Sequence, residues 1–315
     1  MAIAATVLMP VFNGAAYISE AIQSVLAQTE PNFELLIIDD GSTDDTQSVV
    51  ASFQHDARLR YLYKANGGIV SALNLGLNHA QSAFIVRLDA DDVMLPHRIA
   101  TQLDFMGQHP HLHGASSDFG WMDKDGVRRG SISIPLTSKA AVDRTLNASL
   151  PLIFCHSAII YRRDTVLQLG AYRETYRDSE DVDLFTRMVD AGFEIVSQPE
   201  VLTIVRVHDG SITSRARRRQ VMLNDAVVFN SPRRKAGLPE RTIDEVHQLL
   251  CATPLQKLNF ERRSLRQHFH RKMIIAGIKG WRASQFLWGS LVALSDPQRA
   301  INAELNRRRN KHPDR

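Results

Sequence analysis

Short apolar runs and amphipathic segments alternate through the first hundred residues, each pair separated by a turn. That order predicts strands alternating with helices, an α/β fold with a mostly parallel sheet flanked by helices. Thr6 to Phe12 is apolar but for Pro10, as a strand buried on both faces would be. Asn13-Gly14 then turns the chain, and Tyr17, Ile18, Ala21, Ile22, Val25 and Leu26 recur at helical spacing. Phe33 to Ile38, Leu59 to Tyr63 and Phe84 to Leu88 read as the next strands. Val70 to Ala80 reads as a helix, and Pro96 starts another that runs to Gln108, because proline suits a first helical position.

The pattern is mixed from Gly114 to Ser133, with a turn at Asp123-Lys124-Asp125-Gly126. Ala158 to Tyr161 is a further short strand, and Asp181 to Val189 begins a helix with Val182, Phe185 and Val189 on one side. Beyond Ser211, Arg215, Arg217, Arg218 and Arg219 open a basic, helix-prone region. The expected division is a first domain over 1–212, with halves at about 1–110 and 111–212, and a basic, mainly helical region over 213–315.

Composition sharpens this division. The 315 residues are 44% hydrophobic and 23% charged, which excludes a disordered chain. A net charge of +4 hides an asymmetry: residues 1–205 carry 15 Lys and Arg against 25 Asp and Glu, or −10, and the remainder carries +14. An acidic part that binds an anion needs a cation between them, whereas a basic tail suits phosphates, nucleic acid or anionic lipid. Cys155 and Cys251 form no zinc or disulfide pattern and fit a reducing compartment. No basic segment precedes the first apolar run, and no stretch reaches the roughly 18 to 20 apolar residues of a membrane span. The expected location is cytoplasmic, or peripheral on the inner face of a membrane.

Ligands of open parallel sheets bind outside the carboxyl ends of the strands. Pro10 to Asn13, Asp39-Asp40 and Asp89-Ala90-Asp91-Asp92 all fall at such ends. Crowded carboxylates resist ionisation, so a cation is expected among them; oxygen ligands select a hard divalent ion, Mn or Mg, able to bridge carboxylates to substrate phosphates. Asp40 could accept the imide N–H of a uracil or simply form the Asp-Asp-Gly-Ser-Thr-Asp turn. Glu180 and Asp181 open a helix, where carboxylates are stabilised, and are also the candidates for a base that takes a hydroxyl proton. Arg206-Val207-His208, with Ser211-Ile212-Thr213, offers a cation, an imidazole and hydroxyls for a diphosphate or a metal.

The segments MPVFNGAAYISEAIQSVLAQT, FELLIIDDGSTDDT, NGGIVSALNLGL, FIVRLDADDVMLP, SEDVDLFTRM and RVHDGSIT together resemble inverting family 2 glycosyltransferases of the GT-A fold, across residues 5 to about 213. The resemblance implies a sugar transferred from a nucleotide-sugar donor, a UDP-sugar first, to a hydroxyl of a saccharide or lipid-linked acceptor, in surface polysaccharide or glycan synthesis. It implies Pro10, Phe12, Asn13, Asp40 and Asn74 on the donor side with Asp89, Asp91 and Asp92; Asp91 and His208 at the metal; Asp181 as catalytic base; and Glu180 and His156 toward the acceptor. This chain has Leu73 where many relatives carry Arg, so a basic donor contact is either missing or supplied elsewhere.

Other classes fit less well. An NAD-dependent oxidoreductase would show Gly-x-Gly-x-x-Gly after the first strand, where this chain has Pro10-Val11-Phe12-Asn13-Gly14. A sugar nucleotidyltransferase would show a basic, Gly-rich triphosphate loop there. No RNA-recognition motif or zinc finger accompanies Arg307-Arg308-Arg309, so no nucleic-acid partner is expected. Trp281, Phe286, Leu287 and Trp288 beside Arg271, Lys272, Lys279 and Arg282 suit either an anionic membrane surface or helices packed on the core.

Overall fold

The computed structural model describes residues 3–208, 217–265 and 287. In chain order it forms β1 (Ala5–Val11), α1 (Ile18–Leu26), β2 (Phe33–Asp39), α2 (Thr46–Ala51), β3 (Leu59–Tyr63), α3 (Ile69–His79), β4 (Phe84–Arg87), β5 (Val93–Met94) and α4 (Arg98–Gln108). Next come β6 (Leu112–Met122), β7 (Arg128–Ile132), α5 (Lys139–Asn147), β8 (Ile160–Arg162), α6 (Arg163–Gln168), α7 (Glu180–Asp190) and β9 (Glu194–Arg206). Helices α8 (Arg217–Lys235) and α9 (Ile243–Leu250) follow. The sheet runs β3-β2-β1-β4-β8-β6-β9-β5, with β7 beside β6. Its first four strands are parallel, as the sequence predicts; β8 lies antiparallel to β4 and β6, and β9 is parallel to β6.

Burial on both faces explains the continuous apolar strands. In β1 and β2, Val7, Met9, Leu35 and Ile37 enter one core, with Ile18, Ala21, Ile22 and Val25 of α1, while Leu8, Leu36 and Ile38 enter the other, with α3 and α7. Pro10 lacks an N–H, yet lies beyond the last β1–β4 pair, Leu8 with Arg87, so the β4 side loses no ladder bond. Helix α3 sits close to the sheet at Gly76, where a Cβ would meet a Leu8 methyl at 2.2 Å. Residues 112–132 resolve into a hairpin about the expected turn, and the sequence reading did not foresee the 13 residues of β9.

One buried cation fastens the strands together. Arg98 is fully buried, and its guanidinium donates to the carbonyls of Ser157 (2.7 Å), Arg87 (2.9 Å) and Ile159 (3.3 Å), to Thr203 Oγ1 (2.9 Å) and to Gln102 Oε1 (3.0 Å). Burial pulls its pKa down to about 9, with no carboxylate among the described residues hydrogen-bonded to it. Arg98→Met would strip the guanidinium from these buried acceptors, although the Ile159 carbonyl keeps the Arg87 N–H at 2.9 Å. The expected loss of unfolding free energy is about 3 kcal/mol or more, measured by urea denaturation followed by circular dichroism; a loss below about 1 kcal/mol would contradict the role.

The chain divides into two compact units. The first contains residues 1–208 and 227–240, so it closes slightly before the expected 212 and also takes in a later segment. There Ser231 Oγ and Arg234 Nε donate to the Asp190 carboxylate at 2.6 and 2.8 Å, and Glu240 pairs with Arg173 at 3.0 Å. In the second unit, Val221, Cys251 and Phe260 form a small core, and Thr242 and Glu245 make a capping box at the start of α9. Ser211-Ile212-Thr213, the cluster from Arg271 to Trp288 apart from Leu287, and Arg307-Arg308-Arg309 lie outside the described residues. Among the described residues no helix is long and apolar enough to cross a membrane.

Candidate active site

The loop leaving β4 gathers three carboxylates. One oxygen each from Asp89, Asp91 and Asp92 lies within 4.8 Å of the others. The Asp89 N–H donates to Ser157 Oγ (3.0 Å), and the Asp92 carboxylate accepts the Arg206 N–H (2.8 Å), so β8's lead-in and β9 fix the loop from two sides. His208, just past β9, shares a hydrogen bond between its Nε2 and Asp91 Oδ2 at 2.9 Å. Burial, then the charges of Asp91 and Asp89, push the Asp92 carboxyl well up. Its Oδ2 is buried without a hydrogen-bond partner. Three carboxylates, one carrying such an orphaned oxygen, and an adjacent imidazole fit a hard divalent cation.

Arg206, considered in the sequence for a diphosphate, is committed elsewhere. Its guanidinium donates to Glu20 Oε2 (2.5 Å) and the Asp91 carbonyl (3.0 Å), reaches the Asp123 and Lys124 carbonyls, and lies over the Tyr17 ring. It braces the acidic loop against α1 rather than facing a ligand.

A second pair of acids comes from the first turn of α7. Glu180 Oε2 accepts the Asp178 N–H (3.0 Å), and Asp181 Oδ1 accepts the Val182 N–H (2.8 Å). A helix N-terminus favours the ionised forms, but burial outweighs it: Glu180 is pushed up to about 7, by burial and then by Asp181, and Asp181 is also raised, burial first. The third acid of that turn, Asp183, is fully buried between Arg173 and Arg187, the latter at 2.9 Å, and serves the fold.

Between the two acidic groups lies Arg87, which the sequence reading passed over. Side chains alternate along a strand, so Arg87 shares the Ile85 face of β4, toward Tyr161, Tyr172 and α7. It is 2% exposed, pairs with Asp89, and acts electrostatically on Glu180, Asp181, His156 and Tyr172. A lone charge in an otherwise apolar strand that delivers Asp89 was the available signal. His156 Nε2 hydrogen-bonds the Tyr172 hydroxyl (2.9 Å), which in turn meets that of Tyr161 (3.1 Å). Burial, then Arg87, hold the His156 pKa well below its ordinary value, so the imidazole is neutral.

The remaining expected donor residues lie at the ends of β1 and β2 and on α3. Phe12 is 52% exposed, and Asn13, with φ 53°, accepts the Thr43 N–H on Oδ1 (2.8 Å). Asp40 is buried and accepts the Gly67 and Gly68 N–H groups (2.9 and 2.7 Å) and Lys64 Nζ (2.5 Å). Gly68 has φ +86°, and Arg177 covers it while donating to the Gly67 carbonyl at 3.0 Å. Lys64 and Arg177 are thus cations near the amino end of α3. Leu73 is buried in the core, and Asn74 spends its amide on the Tyr172 backbone, donating at 2.9 Å and accepting at 3.0 Å.

The family model for glycosyl transferase family 2 matches residues 6–167. The chain belongs to glycosyltransferase family 2. Within it, the Bacillus subtilis (strain 168) protein EpsE, itself only provisionally assigned as a glycosyltransferase, is 27% identical over 263 residues, 77% of this chain and 92% of EpsE. Among solved structures, Staphylococcus aureus TarS 1-349 in complex with UDP-GlcNAc aligns with a TM-score of 0.60 at 16% identity, over 95% of this chain and 92% of that one. The mannosyltransferase PcManGT from Pyrobaculum calidifontis, in complex with GDP-Man and Mn2+, aligns with a TM-score of 0.59 at 19% identity, over 96% and 84%. These likenesses establish the GT-A fold of this family 2 glycosyltransferase.

Proposed function

We propose that this glycosyltransferase moves a sugar from a nucleotide-sugar, a UDP-sugar first, to a hydroxyl of a saccharide or lipid-linked acceptor with inversion at the anomeric carbon. The observation that supports this reading is a pair of acidic groups of different character, the Asp89-Asp91-Asp92 cluster with His208 and the buried Glu180-Asp181 pair, near enough that the Asp89 charge acts on Asp181. Asp91 and His208, with Asp92 beside them, would hold Mn or Mg, which when bound supplies positive charge to the departing diphosphate. PcManGT, which carries GDP-Man with Mn2+, supports the metal and makes GDP the main competitor to the UDP carried by TarS.

Pro10, Phe12, Asn13 and Asp40 form the nucleoside side. The carboxylate of Asp40 faces the base and also caps the Gly67-Gly68 turn. Asn74 contributes by holding the Tyr172 segment. Asp89 orients the donor, and Asp181 takes the proton from the acceptor hydroxyl as its oxygen attacks opposite the nucleotide. Glu180 and neutral His156 line the acceptor side. A hydrolase-type leaving-group acid has no part, because a nucleoside diphosphate departs as an anion.

Incubation of the full chain with a panel of nucleotide-sugars, saccharide and lipid-linked acceptors and Mn separates this reading from sugar nucleotidyl transfer. Release of a nucleoside diphosphate is expected; release of pyrophosphate from a nucleoside triphosphate and a sugar phosphate would overturn it. The synthesis of surface polysaccharide or another glycan is the proposed setting.

A further inference from the structure

We propose that a chain of two tyrosines fixes His156 in the tautomer that carries its proton on Nδ1, so that His156 donates a hydrogen bond to an oxygen of the saccharide acceptor. The inference rests on the placement of His156 at the acceptor side and goes beyond it by naming the group that His156 offers there and what sets it.

The direction of the chain follows from counting its protons. The Tyr172 hydroxyl stands between His156 Nε2 (2.9 Å) and the Tyr161 hydroxyl (3.1 Å). Tyr161 is fully buried in an apolar cluster, and among the described residues its hydroxyl has Tyr172 as its one hydrogen-bond partner. Were Nε2 protonated, it would donate to Tyr172, and the proton of one of the two buried phenols would be left without an acceptor. Run the other way, Tyr161 donates to Tyr172, Tyr172 donates to Nε2, and every proton has a place. Burial and Arg87 keep the ring neutral, and a divalent cation at the Asp89-Asp91-Asp92 cluster would add to the charge that disfavours the imidazolium. The single ring proton then lies on Nδ1.

That proton is available to a ligand. Nδ1 has no hydrogen-bond partner among the described residues, and it is not one of the buried atoms left without a partner, so it opens to the surface. The ring also touches both halves of the site. The next residue, Ser157, accepts the Asp89 N–H on Oγ at 3.0 Å, and the imidazole meets the Phe185 ring edge to face at 5.9 Å between centroids. Phe185 lies four residues after Asp181 on α7, about one turn along the same face. His156 therefore joins the donor loop to the helix of the proposed base. With Nε2 occupied and Nδ1 protonated, the ring has no lone pair for a further proton, so it orients the acceptor and leaves proton removal to Asp181. A saccharide oxygen beside the attacking one receives the bond, because a donor on the attacking oxygen would draw on the electron pair that it needs.

Two measurements test this. In the full chain carrying isotopically labelled histidine, long-range proton–nitrogen spectra distinguish the two tautomers and the imidazolium, and the His156 signals are identified by their loss in His156→Asn. The Nδ1–H pattern is expected for His156 at neutral pH, and Tyr172→Phe is expected to release it, because Nε2 then has no hydroxyl to bind. An Nε2–H or imidazolium pattern in the wild type, or a Tyr172→Phe spectrum that keeps the Nδ1–H pattern unchanged, overturns the inference.

The second measurement uses Mn with the donor and acceptor that release most nucleoside diphosphate in the panel above. His156→Phe is expected to raise the acceptor KM about tenfold, as the loss of one enclosed hydrogen bond does, with the donor KM within about twofold of wild type. His156→Asn, whose amide nitrogen stands about where Nδ1 does, is expected to recover most of that loss. An acceptor KM unchanged in the Phe variant, or an Asn variant as weak as the Phe variant, overturns the inference. His156→Leu takes the place of the Phe variant if thermal melting shows the latter unfolded. A donor KM that rises in place of the acceptor KM removes His156 from the acceptor side, and the inference falls with that placement. An acceptor-specific effect combined with the wrong tautomer leaves the placement standing and sinks this inference alone.

Discussion

Asp181→Asn is expected to lower transfer by about 10²–10⁴-fold, the range a positioned general base contributes, while nucleotide-sugar affinity stays within a few-fold of wild type. The separation follows from the geometry. Asp181 stands in the first turn of α7, on a different element from the cluster after β4, and its carboxylate accepts the adjacent Val182 N–H. The amide side chain retains size and polarity but cannot take a proton. Rate measurements under saturating donor, with donor binding by titration calorimetry, check both halves. A variant that loses donor binding in parallel with rate would move Asp181 out of the base role and into the donor site.

Removing the metal, or its proposed ligand by Asp91→Ala, is expected to cost several kcal/mol of leaving-group stabilisation, about 10²–10³-fold in rate. EDTA should stop the wild-type protein, and Mn or Mg should restore it. Asp91→Ala should also need more metal to reach half of its own maximal rate, because it leaves His208 without the carboxylate that it meets at 2.9 Å. This signature differs from that of Asp181→Asn, whose metal requirement should be unchanged. Full activity in metal-free buffer would end the metal assignment.

The sequence disclosed the strands whose two faces are both buried, because burial leaves nothing but apolar residues at Val7 to Met9 and Leu35 to Ile38. It hid β9, whose buried positions include Thr203 and Arg206, satisfied by side-chain bonds, and Ser197 and Gln198, whose side-chain oxygens lack a partner among the described residues and which long pairing with β6 nonetheless holds in place. Hydropathy cannot register such tolerance. For the site, the acids were legible as motifs, but their partners were not. Asn74 gives no sign in the sequence that its amide meets Tyr172, 98 residues away, and Arg206 looks as available for a phosphate as any arginine until Glu20 is found against it. Arg87 was visible as a charge in an apolar strand and needed the strand's facing to acquire meaning.

The ladder of charges on α7 has a consequence for how this protein can diversify. The family model matches residues 6–167, whereas the helix bearing Asp181 begins after that match and is held at its first turn by Asp183, Arg173 and, through Arg173, Glu240. At the other end of α7, Asp190 is gripped by Ser231 and Arg234. On the proposed roles, the donor-side framework lies within the matched segment, and the proposed base is carried on a helix anchored by residues beyond it. Substitutions in 227–240 would then shift the placement of the proposed base without touching any residue of the matched segment.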